Sequence, residues 1–299
     1  MGGIASALSG WLLFAGMTLA TGAVVVRWAV LPRAADATPA GLDWLHRQAA
    51  RAGSVGAFAL PIAIGLYFYR QLEEFRDPFA PWTEEATTLL STDWGTSWKW
   101  AVAGGLAAPA LFWAARTGRR WAWPIATLVL LALAAFPAFT GHAAAAETRR
   151  ALALALDTVH VWAASGWVGG LATLLYLEWQ WRRAEPGGSL LPALVPAFSG
   201  VAITSVATLA VTGAVSAWTI LPDLGALSAP GYGRVLLTKL ALVVVVLGLG
   251  GLNFRVFTPR LGSDVGNTAM RRSATVELVV AQVVLVVTAL LVRTSPTGH

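Results

Sequence analysis

The chain has 299 residues, 57% of them hydrophobic and only 12% charged, with a formal charge of +6 and no cysteine. A soluble domain carries about 25% charged residues, so this composition excludes one, and the missing cysteines exclude a disulfide framework, a thiolate nucleophile and a soft sulfur cage for a metal. The basic residues stand in small groups between apolar runs, which fits membrane topology and not phosphate binding, so no nucleic-acid partner is expected.

A spanning helix needs about 20 apolar residues. Eight segments qualify, at roughly 5–31, 52–72, 96–116, 120–141, 150–181, 192–221, 232–256 and 271–293. The expected fold is all-α, a polytopic membrane helix bundle of about eight helices in contact with lipid. It divides into an N-terminal four-helix part, residues 1–140, and a C-terminal four-helix part, residues 141–299, joined in one bundle. The first segment lacks the basic flank of a signal peptide and is expected to be retained as a helix. The fifteen tryptophans, many near span ends, suit interfacial anchors.

Orientation follows from Lys and Arg in the connections. Thirteen of the 21 stand on one side, among them Arg33, Arg47, Arg119, Arg120, Arg182, Arg183, Arg260, Arg271 and Arg272. That side is expected in the cytoplasm, with both termini periplasmic. The longest outer connection, about residues 73–96, is acidic. It reads either as a cation-attracting vestibule or docking surface, or as a short amphipathic helix in the interface.

The stretch DTVHVWAASGWVGG, Asp157 to Gly170, holds the sharpest chemistry. Asp157 and His160 share one helix face, and Gly166 and Gly170 form a GxxxG that lets a neighbouring helix approach. His160 lies ten residues into its helix, about 15 Å deep. Ionisable groups at such depth are functional by default. His142 lies at the outer end of the preceding helix and could face it. Together they suit a metal or haem, because neutral imidazole is the commonest side-chain ligand. Asp157 is a candidate to orient the imidazole, and Met17 offers a thioether suited to Cu(I), at a depth expected to match His160. His46, in a connection, and the terminal His299 are background. Lys239 and Glu277 are ionisable groups inside the last two spans, and Asn253 is placed to hydrogen-bond Glu277. No motif of a hydrolase, phosphate-binding loop, zinc protease or dinucleotide enzyme stands in the chain, so it is not expected to be an enzyme.

HVWAASGWVGGL at 160–171, VTGAVSAW at 211–218, YGRVLLTKLALV at 232–243, LN at 252–253 and RRSATVELVVAQVVLVVTALLV at 271–292 resemble the copper-resistance protein D (CopD) family, as does GHA at 141–143. The resemblance covers about residues 140–293, while the first 140 residues match it only in hydropathy and helix count. It implies a bacterial inner-membrane protein of eight helices that takes up copper, paired with a periplasmic copper-binding protein of the CopC type. His142, His160, Trp167, Lys239 and Glu277 fall on its motif positions. The chain departs from the family in its scarcity of methionine and cysteine, and a His/carboxylate site suits Cu(II) better than a soft-ligand path. The alternative is a b-type haem oxidoreductase with His142 and His160 as axial ligands.

Overall fold

A computed structural model of the chain describes residues 2–77, 79–141, 144, 149–220 and 232–291. Among these the secondary structure is helical without strands. Nine helices follow one another. They are α1 (Gly2–Val25), α2 (Leu42–Glu74), α3 (Trp82–Ser91), α4 (Asp93–Arg116), α5 (Ala122–Thr140), α6 (Arg150–Ala184), α7 (Leu191–Ile220), α8 (Tyr232–Leu252) and α9 (Asp264–Leu291). Seven are long and apolar enough to cross a membrane, which makes this a multi-pass membrane protein. The eighth long helix is α4, whose 24 residues include exposed Lys99 and an acidic start and so lower its hydropathy. It nevertheless lies along α2 from Trp94 beside Tyr67 to Phe112 beside Gly53, and along α5 on its other side.

Several boundaries move relative to the expectations. Helix α2 starts at Leu42, with Asp43 in its first turn, so His46 is a half-buried helical residue and not part of a connection. Helix α9 starts at Asp264, which brings Arg271 and Arg272 inside the helix. In the acidic connection the short helix α3 forms, and none of its residues is buried.

Helix α1 is the axis of the packing, touching α2, α5, α6 and α9. Small residues make that possible. A Cβ on Gly169 of α6 would overlap the Thr18 carbonyl of α1, and one on Gly22 would overlap Gly169 itself, so these two backbones touch without intervening side chains. Gly16 and Gly56 join α1 to α2 in the same way. Gly166 and Gly170 turn to the other neighbour, α7, with Ser205 and Phe198 opposite.

Among the described residues three long helices carry a π-helical turn, where the hydrogen bond reaches five residues back. The turns are Val26–Val30 at the end of α1, Ser165–Gly169 within α6 and Asn253–Phe257 after α8. Helix α8 packs chiefly on α9 and leaves a lateral crevice between itself and α7, closed at one end where α7 meets the Thr258–Arg260 turn.

Candidate functional site

His160 projects from α6 towards α7. Its Nδ1 lies 2.8 Å from Thr212 Oγ1, and that hydroxyl lies 2.7 Å from the Thr208 carbonyl. A carbonyl can only accept, so while the Thr212 hydroxyl donates to Thr208 it is the Nδ1–H tautomer of His160 that donates to Thr212. In that tautomer Nε2 keeps a lone pair for a ligand. Gly213, with no side chain, gives the ring room: a Cβ there would stand 3.6 Å from His160 Cε1. Lys239 of α8 is near enough to interact electrostatically with both Asp157 and His160. The orienting contact at Nδ1 thus comes from Thr212, which the sequence had not singled out; threonine is too common in membrane helices to signal such a role.

Of the other residues expected near it, His142 lies outside the described residues, as does the background residue His299. Met17 is 1% exposed in the core shared by α1, α2, α4 and α5. Its neighbour Thr18 meets Gly169, nine residues beyond His160, so Met17 sits about 13 Å further along α6 and not at the depth of His160. Counting residues from the start of each helix gave the wrong level because α1 enters the bundle at a different height. Among the described residues no three His, Asp or Glu side chains gather into a metal-binding group.

A second polar cluster lies deeper in the C-terminal helices. Glu277 of α9 is 4% exposed. Trp167 Nε1 donates to its Oε1 at 3.2 Å, and Asn253 Nδ2 donates to its Oε2 at 2.6 Å. Two π turns deliver these donors, one from α6 and one from the end of α8. A π turn widens the helix and lets a side chain point where a regular helix would not send it, and such turns recur at functional sites. Asn253 Oδ1 is buried and has no partner. Trp167, Asn253 and Glu277 stand at one side of a cavity of about 410 Å³ in the crevice between α7 and α8, whose other walls are mainly Leu, Val, Ile, Phe and Gly. Among the described residues no histidine lines this cavity.

A third cluster closes the opposite end of α6. Glu178 is 1% exposed, and Arg271 Nη1 reaches its Oε1 at 3.1 Å. Ser189 Oγ donates to Glu178 at 3.0 Å and the Leu190 backbone N–H at 2.7 Å. Burial of a charge is tolerable when it is paired and hydrogen-bonded in this way. Sequence reading passed over Glu178 because a glutamate four residues before Arg182 looks like an ordinary helix-end residue. The one cue was its position between Leu177 and Trp179, in an otherwise apolar turn.

With this geometry in view, comparison with known proteins is informative. The family model described as copper resistance protein D matches residues 192–291. The copper transport protein CutJ of Bacillus subtilis (strain 168) is 35% identical over 133 residues, 44% of this chain and 24% of that protein. The copper resistance protein D of Pseudomonas syringae pv. tomato is 30% identical over 159 residues, 50% of this chain and 51% of its own length. The chain therefore spans about a quarter of the first relative and about half of the second. No solved structure matches it significantly.

Proposed function

We propose, from the match of residues 192–291 to the copper resistance protein D family model, that the chain moves copper ions across a bacterial inner membrane and that His160 is an intramembrane ligand on their path. The observation that carries this reading is the His160–Thr212 hydrogen bond at 2.8 Å, which leaves Nε2 free to bind a metal inside the bundle. Copper is the cargo here. The names of both relatives speak of copper, one of its transport and one of resistance to it. Lys239, which interacts with both His160 and Asp157, and Asp157, three residues before His160 on α6, supply charge of both signs along the same path.

The test is copper uptake and copper content of purified protein for His160→Ala, Thr212→Val and His46→Ala. His160→Ala is expected to abolish uptake while leaving the elution profile intact, since alanine suits a helix. Thr212→Val removes only the outer contact and is expected to weaken copper binding about 10- to 100-fold. His46→Ala should leave both measurements unchanged. Full copper content and uptake in a well-folded His160→Ala protein would end this reading.

We propose further that the end of the bundle holding Arg120, Arg182 and Arg271 faces the cytoplasm, with both termini outside. Its connections are tied together by Asp43–Arg120, Trp44–Trp181 and Glu178–Arg271, which gathers the basic residues at one face. The chain has no native cysteine, so a single cysteine at exposed Ser263 reports cleanly. It is expected to resist an impermeant thiol reagent applied to intact cells; ready labelling would invert the topology.

A further inference from the structure

The end of α6 near Glu178 borders a second cavity, of about 250 Å³, in which neither His160 nor the crevice has a part. Arg182 of α6 lines it, with Asp264, Asn267, Thr268 and Arg271 of α9 and the connection at residues 187–189. The space far exceeds the 30 Å³ or so of one water but falls short of the roughly 300–1,000 Å³ of drug-sized pockets. It suits a small polar group.

The charges in this wall are set apart from one another. Arg271 donates to Glu178 at 3.1 Å through one terminal nitrogen and to Thr268 Oγ1 at 2.8 Å through the other. A guanidinium has five N–H donors, so three remain, on a side chain that is 22% exposed. Arg182 is exposed and, among the described residues, forms no salt bridge. Asp264 is exposed in the same cavity, yet no salt bridge joins it to either arginine. Asn267 accepts the Gly262 N–H on Oδ1 at 3.1 Å, so what it has left to offer is the two N–H donors of Nδ2. Two cations and an amide donor, with a carboxylate held apart from them, fit a ligand that carries an anion and a cation on one short chain.

The level of the cavity narrows the choice. Trp179 and Trp181 stand on the same turn as Arg182; Trp179 is 51% exposed, with the Arg183 guanidinium 4.9 Å from its ring centre. Tryptophan and arginine at the end of a spanning helix mark the headgroup layer, and basic pockets between such helices take lipid headgroups. Arginine matches a phosphate in shape and charge. Asp264 repels a purely anionic headgroup and accepts N–H bonds from a primary ammonium, which a trimethylammonium cannot donate.

We infer that this cavity binds the headgroup of a phosphoethanolamine lipid, its phosphate held by Arg182 and Arg271 and its ammonium by Asp264. The inference rests on the membrane setting of α6 and stands whether or not His160 carries copper.

The experiment titrates the full chain in dodecylmaltoside with dioleoylphosphatidylethanolamine and counts bound lipid by native mass spectrometry. The phosphatidylglycerol and phosphatidylcholine with the same acyl chains serve for comparison. One tightly held phosphatidylethanolamine per chain is expected, about 10-fold tighter than either of the others. Equal affinity for all three would overturn the assignment, because the cavity would then read only what the lipids share. Displacement by glycerophosphoethanolamine at equal concentration would overturn the lipid as the source, in favour of the soluble headgroup. Arg182→Gln should weaken phosphatidylethanolamine binding about 10-fold, and Asp264→Asn should weaken it as much and erase the preference over phosphatidylglycerol. Arg183→Gln, outside the cavity, should change nothing, with folding of all three variants checked by elution profile. A loss with Arg183→Gln equal to that with Arg182→Gln would reduce the effect to general surface charge, and undiminished binding in both cavity variants would place the lipid elsewhere.

Discussion

The two flanks of α6 are built on opposite rules. Towards α1 the helix offers Gly169, and backbone meets backbone with no free volume. Towards the crevice it offers Trp167, whose indole reaches a carboxyl group beside an open cavity. The two buried glutamates repeat the contrast. Glu178 has an arginine, a serine and a backbone N–H, while among the described residues Glu277 has two neutral donors, Trp167 and Asn253. A group that is fully partnered holds the structure together. One that is left with spare oxygens at a cavity is placed to meet something else.

Breaking the paired side should have the largest effect. Arg271→Ala leaves Glu178 buried without its cation and is expected to lower stability by about 3–5 kcal/mol, read as a drop in thermal unfolding temperature in detergent. Replacing both partners by apolar residues, Glu178→Met with Arg271→Leu, should recover most of that loss. A double variant no better than the single one would show that the serine and backbone bonds to Glu178 matter more than the charge pair.

Next comes the seam itself. Gly169→Ala forces a methyl group into the Thr18 carbonyl, and overpacking of this kind costs about 1–3 kcal/mol or more. Gly250→Ala, on the open side, meets only the Glu277 carboxyl at 3.6 Å and should change stability by less than about 0.5 kcal/mol. The pair of variants sharpens the comparison, since both add one methyl group to a membrane-helix glycine. Equal losses would mean that the crevice is filled by protein in the native state.

The smallest effect is expected at the rim. Arg120 and Asp43 form an ion pair at 3.3 Å with both side chains largely exposed, so Arg120→Ala should cost well under about 1 kcal/mol and fade with added salt. A larger, salt-independent loss would show that this contact is a structural clasp between two connections.

What could be read in the sequence followed from solvent physics. Long apolar runs announce membrane helices because an unpaired backbone cannot face lipid, and this gave the all-helical bundle and the positions of the spans. Glu277 and Asn253 were visible for the same reason: polar groups inside such runs need partners, and here they found each other. Thr212, Glu178 and the depth of Met17 were hidden, because each depends on which helices are neighbours and at what height. The π turns had no signature at all. An i to i+5 hydrogen bond draws on no distinctive residue type, and Ser165–Gly169 reads as ordinary small-residue helix.

That hidden turn in α6 has a geometric consequence. His160 and Glu178 are eighteen residues apart, which at 3.6 residues per turn is a whole number of turns. On an unbroken helix they would point the same way and compete for one neighbour. The π turn between them takes up about one extra residue without its matching rotation, so everything after it lags in phase by roughly 100°. His160 then meets Thr212 of α7, and Glu178 meets Arg271 of α9. A single change of phase lets one continuous helix serve two partners.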